Sequence, residues 1–166
     1  MWKKSLSGIA AGLLGLTAGC ALGGGPGIGG DLTWDAGLAT ARDVREKSLR
    51  VLQNHSYELE REEAPPNMYF LTRWRARTPF KDETELGAEL AQTRFIVEAR
   101  PRERGRDTRA GTLTMYTVRV RVENELRREG ETDWVQADPT DEFRAYAANI
   151  AALIRQELRI GIRVWD

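Results

Sequence analysis

The spacing of hydrophobic positions changes several times along the chain, and each change predicts an element. Residues 6–18 form an apolar stretch interrupted only by Ser, Gly and Thr and free of charge. Over residues 36–54 the period is close to 3.6, with Ala41, Val44, Ser48 and Leu52, flanked by Leu49 and Val51, opposing Arg42, Arg45, Glu46 and Arg50. That stripe predicts an amphipathic helix, and Asn54 suits the left-handed conformation that ends one. From Ser56 the period drops to two. Tyr57 and Leu59 alternate with Glu58, Glu60 and Glu62 until Ala64-Pro65-Pro66-Asn67 breaks the strand. The run 69–78 places Phe70, Thr72, Trp74 and Ala76 on one face and Arg73, Arg75 and Arg77 on the other, and Pro79 closes it.

Residues 80–92 read as a long connection with a helical turn around 84–90. A third strand over 93–100 buries Phe95, Val97 and Ala99. A fourth over 113–126 alternates Tyr116, Val118, Val120 and Val122 with Thr117, Arg119, Arg121 and Glu123. After a turn at Gly130, residues 132–136 suggest a short edge strand. Asp138-Pro139-Thr140-Asp141 reads as a helix start, with Asp138 as cap and Pro139 at the first helical position. Phe143, Tyr146, Ala147, Ile150, Leu153, Ile154 and Leu158 then keep the 3.6 period to about residue 159. Ile160, Ile162 and Val164 fit either a helical extension or a final strand.

The expected order is α-β-β-β-β(-β)-α. Strands that alternate apolar with charged residues predict an antiparallel sheet with one wet face. Two helices with one stripe each belong on the other face. The fold class is therefore α+β, a two-layer sandwich of a four- to five-stranded antiparallel sheet with N- and C-terminal helices on one side. If the first hairpin turns at Pro66-Asn67 or Asn67-Met68, Glu58 and Glu60 fall opposite two of the three arginines of the run 69–78, which helps set register. Leu59 then falls near Trp74 or Ala76. As catalytic carboxylates Glu58 and Glu60 would need a desolvated pocket, and arginines on a solvated face supply the reverse.

Composition sharpens this picture at the N-terminus. The chain has 166 residues, 25 basic against 25 acidic, with one His and one Cys. Ten of its 16 glycines fall in the first 30 positions. The length suits one domain, the lone cysteine excludes an internal disulfide framework, and the lone histidine excludes histidine-rich metal sites. Lys3 and Lys4 precede the apolar stretch, the order of a secretory signal, and the stretch is too short for a permanent span. It ends in Leu16-Thr17-Ala18-Gly19-Cys20, which resembles the lipobox of bacterial lipoproteins. That resemblance implies removal of residues 1–19, a diacylglycerol on Cys20, and, from Ala21 in place of Asp, an outer-membrane address on the periplasmic face. The mature chain would then hold 23 basic and 25 acidic residues, with Lys47 and Lys81 its only lysines. Residues 20–33 form a lipidated cysteine and a Gly-rich tether, and 34–166 a single domain. Gly25-x-Gly27-x-x-Gly30 matches the spacing of a dinucleotide loop but lacks the preceding strand and the following helix that would hold a pyrophosphate.

The lipobox, the tether and the helix-to-strand junction Leu52-Gln53-Asn54-His55-Ser56-Tyr57 together resemble BamC-type helix-grip lipoproteins of the outer-membrane β-barrel assembly machinery. The resemblance is one of topology, and it implies a non-enzymatic binding or assembly module with an envelope protein partner. The candidate contact residues are Arg100, Arg102, Arg104, Arg106 and Arg109, between the third and fourth strands, where five arginines meet two acids. Arginine forks suit phosphate or carboxylate oxygens. Nucleic acid is not expected of an exported chain without a basic, aromatic-studded face. No catalytic set, metal site or cofactor is expected: His55 stands alone, and Ser48 and Ser56 sit in no nucleophile turn. The alternative is a carrier that encloses an apolar ligand in a cavity lined by Phe70, Trp74, Val118 and Ile150.

Overall fold

Two long strands in which buried and more exposed positions mostly alternate organise the sheet. The computed structural model describes residues 32–103, 106–108 and 111–163. In chain order its elements are β1 (Leu32–Thr40), α1 (Ala41–Asn54), β2 (Leu59–Glu63), β3 (Met68–Thr72), β4 (Arg75–Arg77), α2 (Lys81–Glu85) and β5 (Ala88–Pro101). There follow β6 (Arg106–Thr108), β7 (Gly111–Leu113), β8 (Met115–Arg128), β9 (Val135–Gln136) and α3 (Asp141–Arg163). The 14-residue strands β5 and β8 pair antiparallel over their whole lengths, from Ala88 opposite Arg128 to Pro101 opposite Tyr116. Around them the strand order is β1-β8-β5-β3-β2. β9 continues the β1 side of β8, and β4 continues the β3 side of β5.

The architecture is α+β, with an antiparallel seven-stranded sheet and the N- and C-terminal helices packed on it. Phe95, Val97 and Ala99 of β5 and Tyr116, Val118, Val120 and Val122 of β8 share one buried core with Val44, Val51 and Leu52 of α1. The same core takes in Phe143, Ala147, Ile150, Ile154 and Leu158 of α3. Alternation forces this: residues two apart on a strand face one way, and those positions are apolar. Truncating such a fully buried side chain to Ala costs about 2–5 kcal/mol. We call this face inner and the opposite one outer.

Several expectations need correction. Residues 32–40 form a strand where the helix was expected to begin at 36. A bulge between Asp35 and Gly37, with Gly37 at φ +97°, resets the alternation. Only glycine adopts that φ without strain. Thr40 then caps α1, its Oγ1 accepting from the Asp43 N–H at 3.1 Å. The helix ends with Ser56, not Asn54, in the left-handed conformation at φ 61°. The Ser56 N–H donates to Gln53 O, and the Tyr57 N–H to Leu52 O, which tucks Tyr57 under the helix.

The expected strand 69–78 breaks at Arg73-Trp74 into β3 and β4, and its alternation inverts. Phe70 and Thr72 are buried on the inner side, but Trp74 lies under Arg94 on the outer face, and Arg75 and Arg77 turn inward. In the hairpin Leu59 pairs with Thr72, and a bulge lies between Leu59 and Arg61. Among the described residues Glu58 and Glu60 form no ion pair with the arginines. Glu62 instead bonds Arg45 of α1 at 2.6 Å. The helical turn falls earlier than expected, at Lys81–Glu85, so β5 begins five residues sooner. Thr140, not Asp138, caps α3 through the Phe143 N–H, and the helix continues to Arg163.

Candidate functional site

The inverted strand β4 builds a buried polar knot at one end of the β5–β8 pair. Arg77 and Glu83 have side chains 7% and 0% exposed and meet in a two-pronged bridge, both contacts at 2.6 Å. Glu83 also accepts from the Phe80 N–H at 2.8 Å and from Asn124 Nδ2 at 2.9 Å. Arg77 donates further to Thr93 Oγ1, Asn124 Oδ1 and Thr78 O, and its guanidinium lies 4.3 Å from the Phe80 ring centroid and 5.3 Å from that of Phe143. With four donors on one carboxylate, Glu83 has no lone pair to offer a substrate. The knot closes the end of the core.

A second polar contact pins α3 to α1's exit. Tyr57 Oη and Tyr146 Oη lie 2.7 Å apart, Arg75 Nη1 donates to Tyr146 Oη at 3.3 Å, and Tyr57 packs edge-on against Phe95. Burial, then the neighbouring Tyr146 hydroxyl, pushes the Tyr57 hydroxyl well above the ordinary tyrosine value.

At the other end of β5–β8, Arg100, Arg102 and Arg119 have no such partners among the described residues. A depression of about 610 Å³ opens on the outer face between Glu98, Arg100, Pro101, Arg102, Glu103, Thr117 and Arg119. Register places these groups together. Glu98 lies opposite Arg119 and Arg100 opposite Thr117, while the Arg102 N–H donates to Met115 O and carries the pairing one step further. Beyond it the chain forms the small β6–β7 hairpin, with Arg106 opposite Leu113. Among the described residues the side chains of Arg100, Arg102, Arg119, Glu98 and Glu103 form no hydrogen bond or ion pair. Elsewhere on the outer face Arg94 bonds Glu123 and stacks 4.4 Å from the Trp74 ring centroid. Arg61 pairs with Glu63 beside Tyr69, and Arg121 lies 3.7 Å from Glu123.

Of the residues singled out from sequence, Arg100 and Arg102 are therefore brought to one depression, and Arg106 lies in β6. Cys20, Arg104 and Arg109 lie outside the described residues. Arg119 belongs with the site although it reads in sequence as one more polar position of a strand; only the hairpin register identifies it. His55 follows α1 as its C-terminal cap, and Ser48 is buried on the core side of α1 with its Oγ unpartnered. Phe70, Val118 and Ile150 are fully buried in the core, while Trp74 sits on the opposite face, so these four line no common cavity. Among the described residues no His, Cys, Asp and Glu side chains group as metal ligands. Compared with protein-family models and with curated proteins, the chain matches none.

Proposed function

We propose that this chain is a lipid-anchored lipoprotein of the bacterial envelope whose periplasmic domain acts as a non-enzymatic binding or assembly module. The observation that carries the reading is the run Leu16-Thr17-Ala18-Gly19-Cys20, placed after a charged and then apolar leader and before a glycine-rich tether. The first described element, β1, starts at Leu32, twelve residues after Cys20. No helix among the described residues is long and apolar enough to cross a membrane. Two or more chains anchor stably where one is marginal. The binding role rests on the arginines at one end of the sheet that have no side-chain partner among the described residues, and the outer-membrane address on Ala21.

Mass measurement of the N-terminal peptide from membranes of the native host tests the anchor. Cleavage before Cys20 and a diacylglycerol mass on it are expected. Cys20→Ser should release the protein from the membrane fraction or leave an uncleaved precursor. Normal processing and attachment of Cys20→Ser would refute the reading.

A further inference from the structure

We propose that the depression framed by Arg100, Arg102 and Arg119 binds a phosphate ester that carries an ammonium group, the pattern of a phosphoethanolamine headgroup. Three guanidinium groups that have no side-chain partner among the described residues line it, and such planar forks match phosphate oxygens in pairs. Two carboxylates with no partner among the described residues, Glu98 and Glu103, line the same depression. A bare polyanion would meet both acids, and a bare cation would meet all three arginines. A zwitterion answers both sets at once. Register fixes the pattern on the sheet: Glu98 stands opposite Arg119 and two residues from Arg100 on the same strand face, so a carboxylate lies between two cations.

The site is also within reach of the membrane that the tether would occupy. The chain enters the sheet at Leu32, opposite Val122, and Thr117 lies five residues along β8 from there, about 17 Å away. The twelve residues from Cys20 to Asp31 extend to about 40 Å at most. The inference rests on the binding-module reading of the domain but not on its anchor chemistry.

The test uses the full-length protein purified from its host in a detergent that contains no phospholipid. Calorimetric titration with O-phosphoethanolamine, inorganic phosphate and ethanolamine should give binding of the first at least about tenfold tighter than of either part. Arg119→Glu and Arg100→Glu should each weaken it by about tenfold or more while leaving the melting temperature in place. Glu98→Gln should remove the preference over inorganic phosphate by strengthening phosphate binding while losing the contact to the ammonium group. In a second arm the protein, held on phosphatidylcholine vesicles, is treated with phenylglyoxal, and modification of Arg100 and Arg119 is read by mass spectrometry. Protection on adding phosphatidylethanolamine, but not phosphatidylglycerol, assigns the ligand to a lipid headgroup. Protection by soluble phosphoethanolamine alone assigns it to a free ester.

Equal affinity for phosphate and phosphoethanolamine, equal protection by both lipids, or protection by polyglutamate alone would overturn the proposal, the last in favour of an acidic protein surface. So would the lack of any response. If the ligand response is absent while Cys20 is acylated, the site falls and the anchored module stands. An intact response with unmodified Cys20 removes the anchor alone.

Discussion

The two ends of the β5–β8 pair use the same residue type in opposite ways. At one end Arg77 is buried, holds Glu83 with two prongs, and gives its remaining donors to Thr93, Asn124 and Thr78. At the other, Arg100, Arg102 and Arg119 stand around an open depression with nothing in the described chain to hold them. The difference lies in where the partner is. A buried charge has to be matched inside the fold, because leaving it bare costs several kcal/mol. An exposed arginine is solvated at little cost, so its partner can be another molecule. The fold thus separates an arginine that keeps it closed from exposed arginines with no side-chain partner among the described residues.

That contrast can be broken most severely at the buried end. Arg77→Ala leaves Glu83 uncompensated and empties the space between Phe80 and Phe143, so urea unfolding should show a loss of about 3–5 kcal/mol. Replacing both partners with apolar residues of similar volume, Arg77→Met with Glu83→Leu, should lose markedly less. An equal loss in the single and double variants would place the cost in packing instead of charge.

A smaller effect is expected at the tyrosine contact. Tyr57→Phe removes the hydrogen bond to Tyr146 and should cost about 1 kcal/mol at neutral pH. It should also change the alkaline limb. The folded-state value of the Tyr57 hydroxyl is raised above its ordinary 10.0, so its contribution is complete below pH 10.0 and is lost as the pH rises above it. Wild-type unfolding midpoints should therefore fall above pH 10.0, and those of Tyr57→Phe should fall less steeply. Parallel curves for the two proteins would remove Tyr57 from the alkaline transition.

The smallest stability change is expected at the open end. Arg119→Ala should shift stability by no more than about 0.5 kcal/mol, because the side chain is exposed and has no partner among the described residues. A loss comparable to that of Arg77→Ala would mean that the open end supports the fold, and the contrast would disappear.

The long elements were legible in the sequence for a simple reason. In β8 the valines at 118, 120 and 122 face the core at every second residue, and in α3 Phe143, Ala147, Ile150, Ile154 and Leu158 follow the helical period without interruption. Periodicity fails where the backbone slips. The bulge at Asp35–Gly37 puts Ala36 and Ala39 on the buried side, a spacing of three that merges with the following helix, so the second half of β1, from residue 36, fits the helical period. The break at Arg73-Trp74 inverts inside and outside, and no local pattern tells which of Trp74 or Arg75 turns inward; the answer lies in Glu83, which gives Arg77 a reason to be buried. The candidate site was half legible. Arg100 and Arg102 stand out in an arginine-rich run, whereas Arg119 joins them only through a pairing register that spans the intervening hairpin.

The placement of β1 bears on how the domain would respond to mechanical load. β1 runs from Leu32, opposite Val122, toward Thr40, opposite Met115, so its N-terminal end points away from the depression and the β6–β7 hairpin. Tension drawn between the chain before Leu32 and a molecule held at the depression would act along the strand axis. The hydrogen bonds between β1 and β8 lie across that axis, so they would share the force together instead of opening one after another. Pulled in this direction the domain should resist as a sheared joint. Pulled at right angles to β1, it should unzip from Leu32 at far lower force.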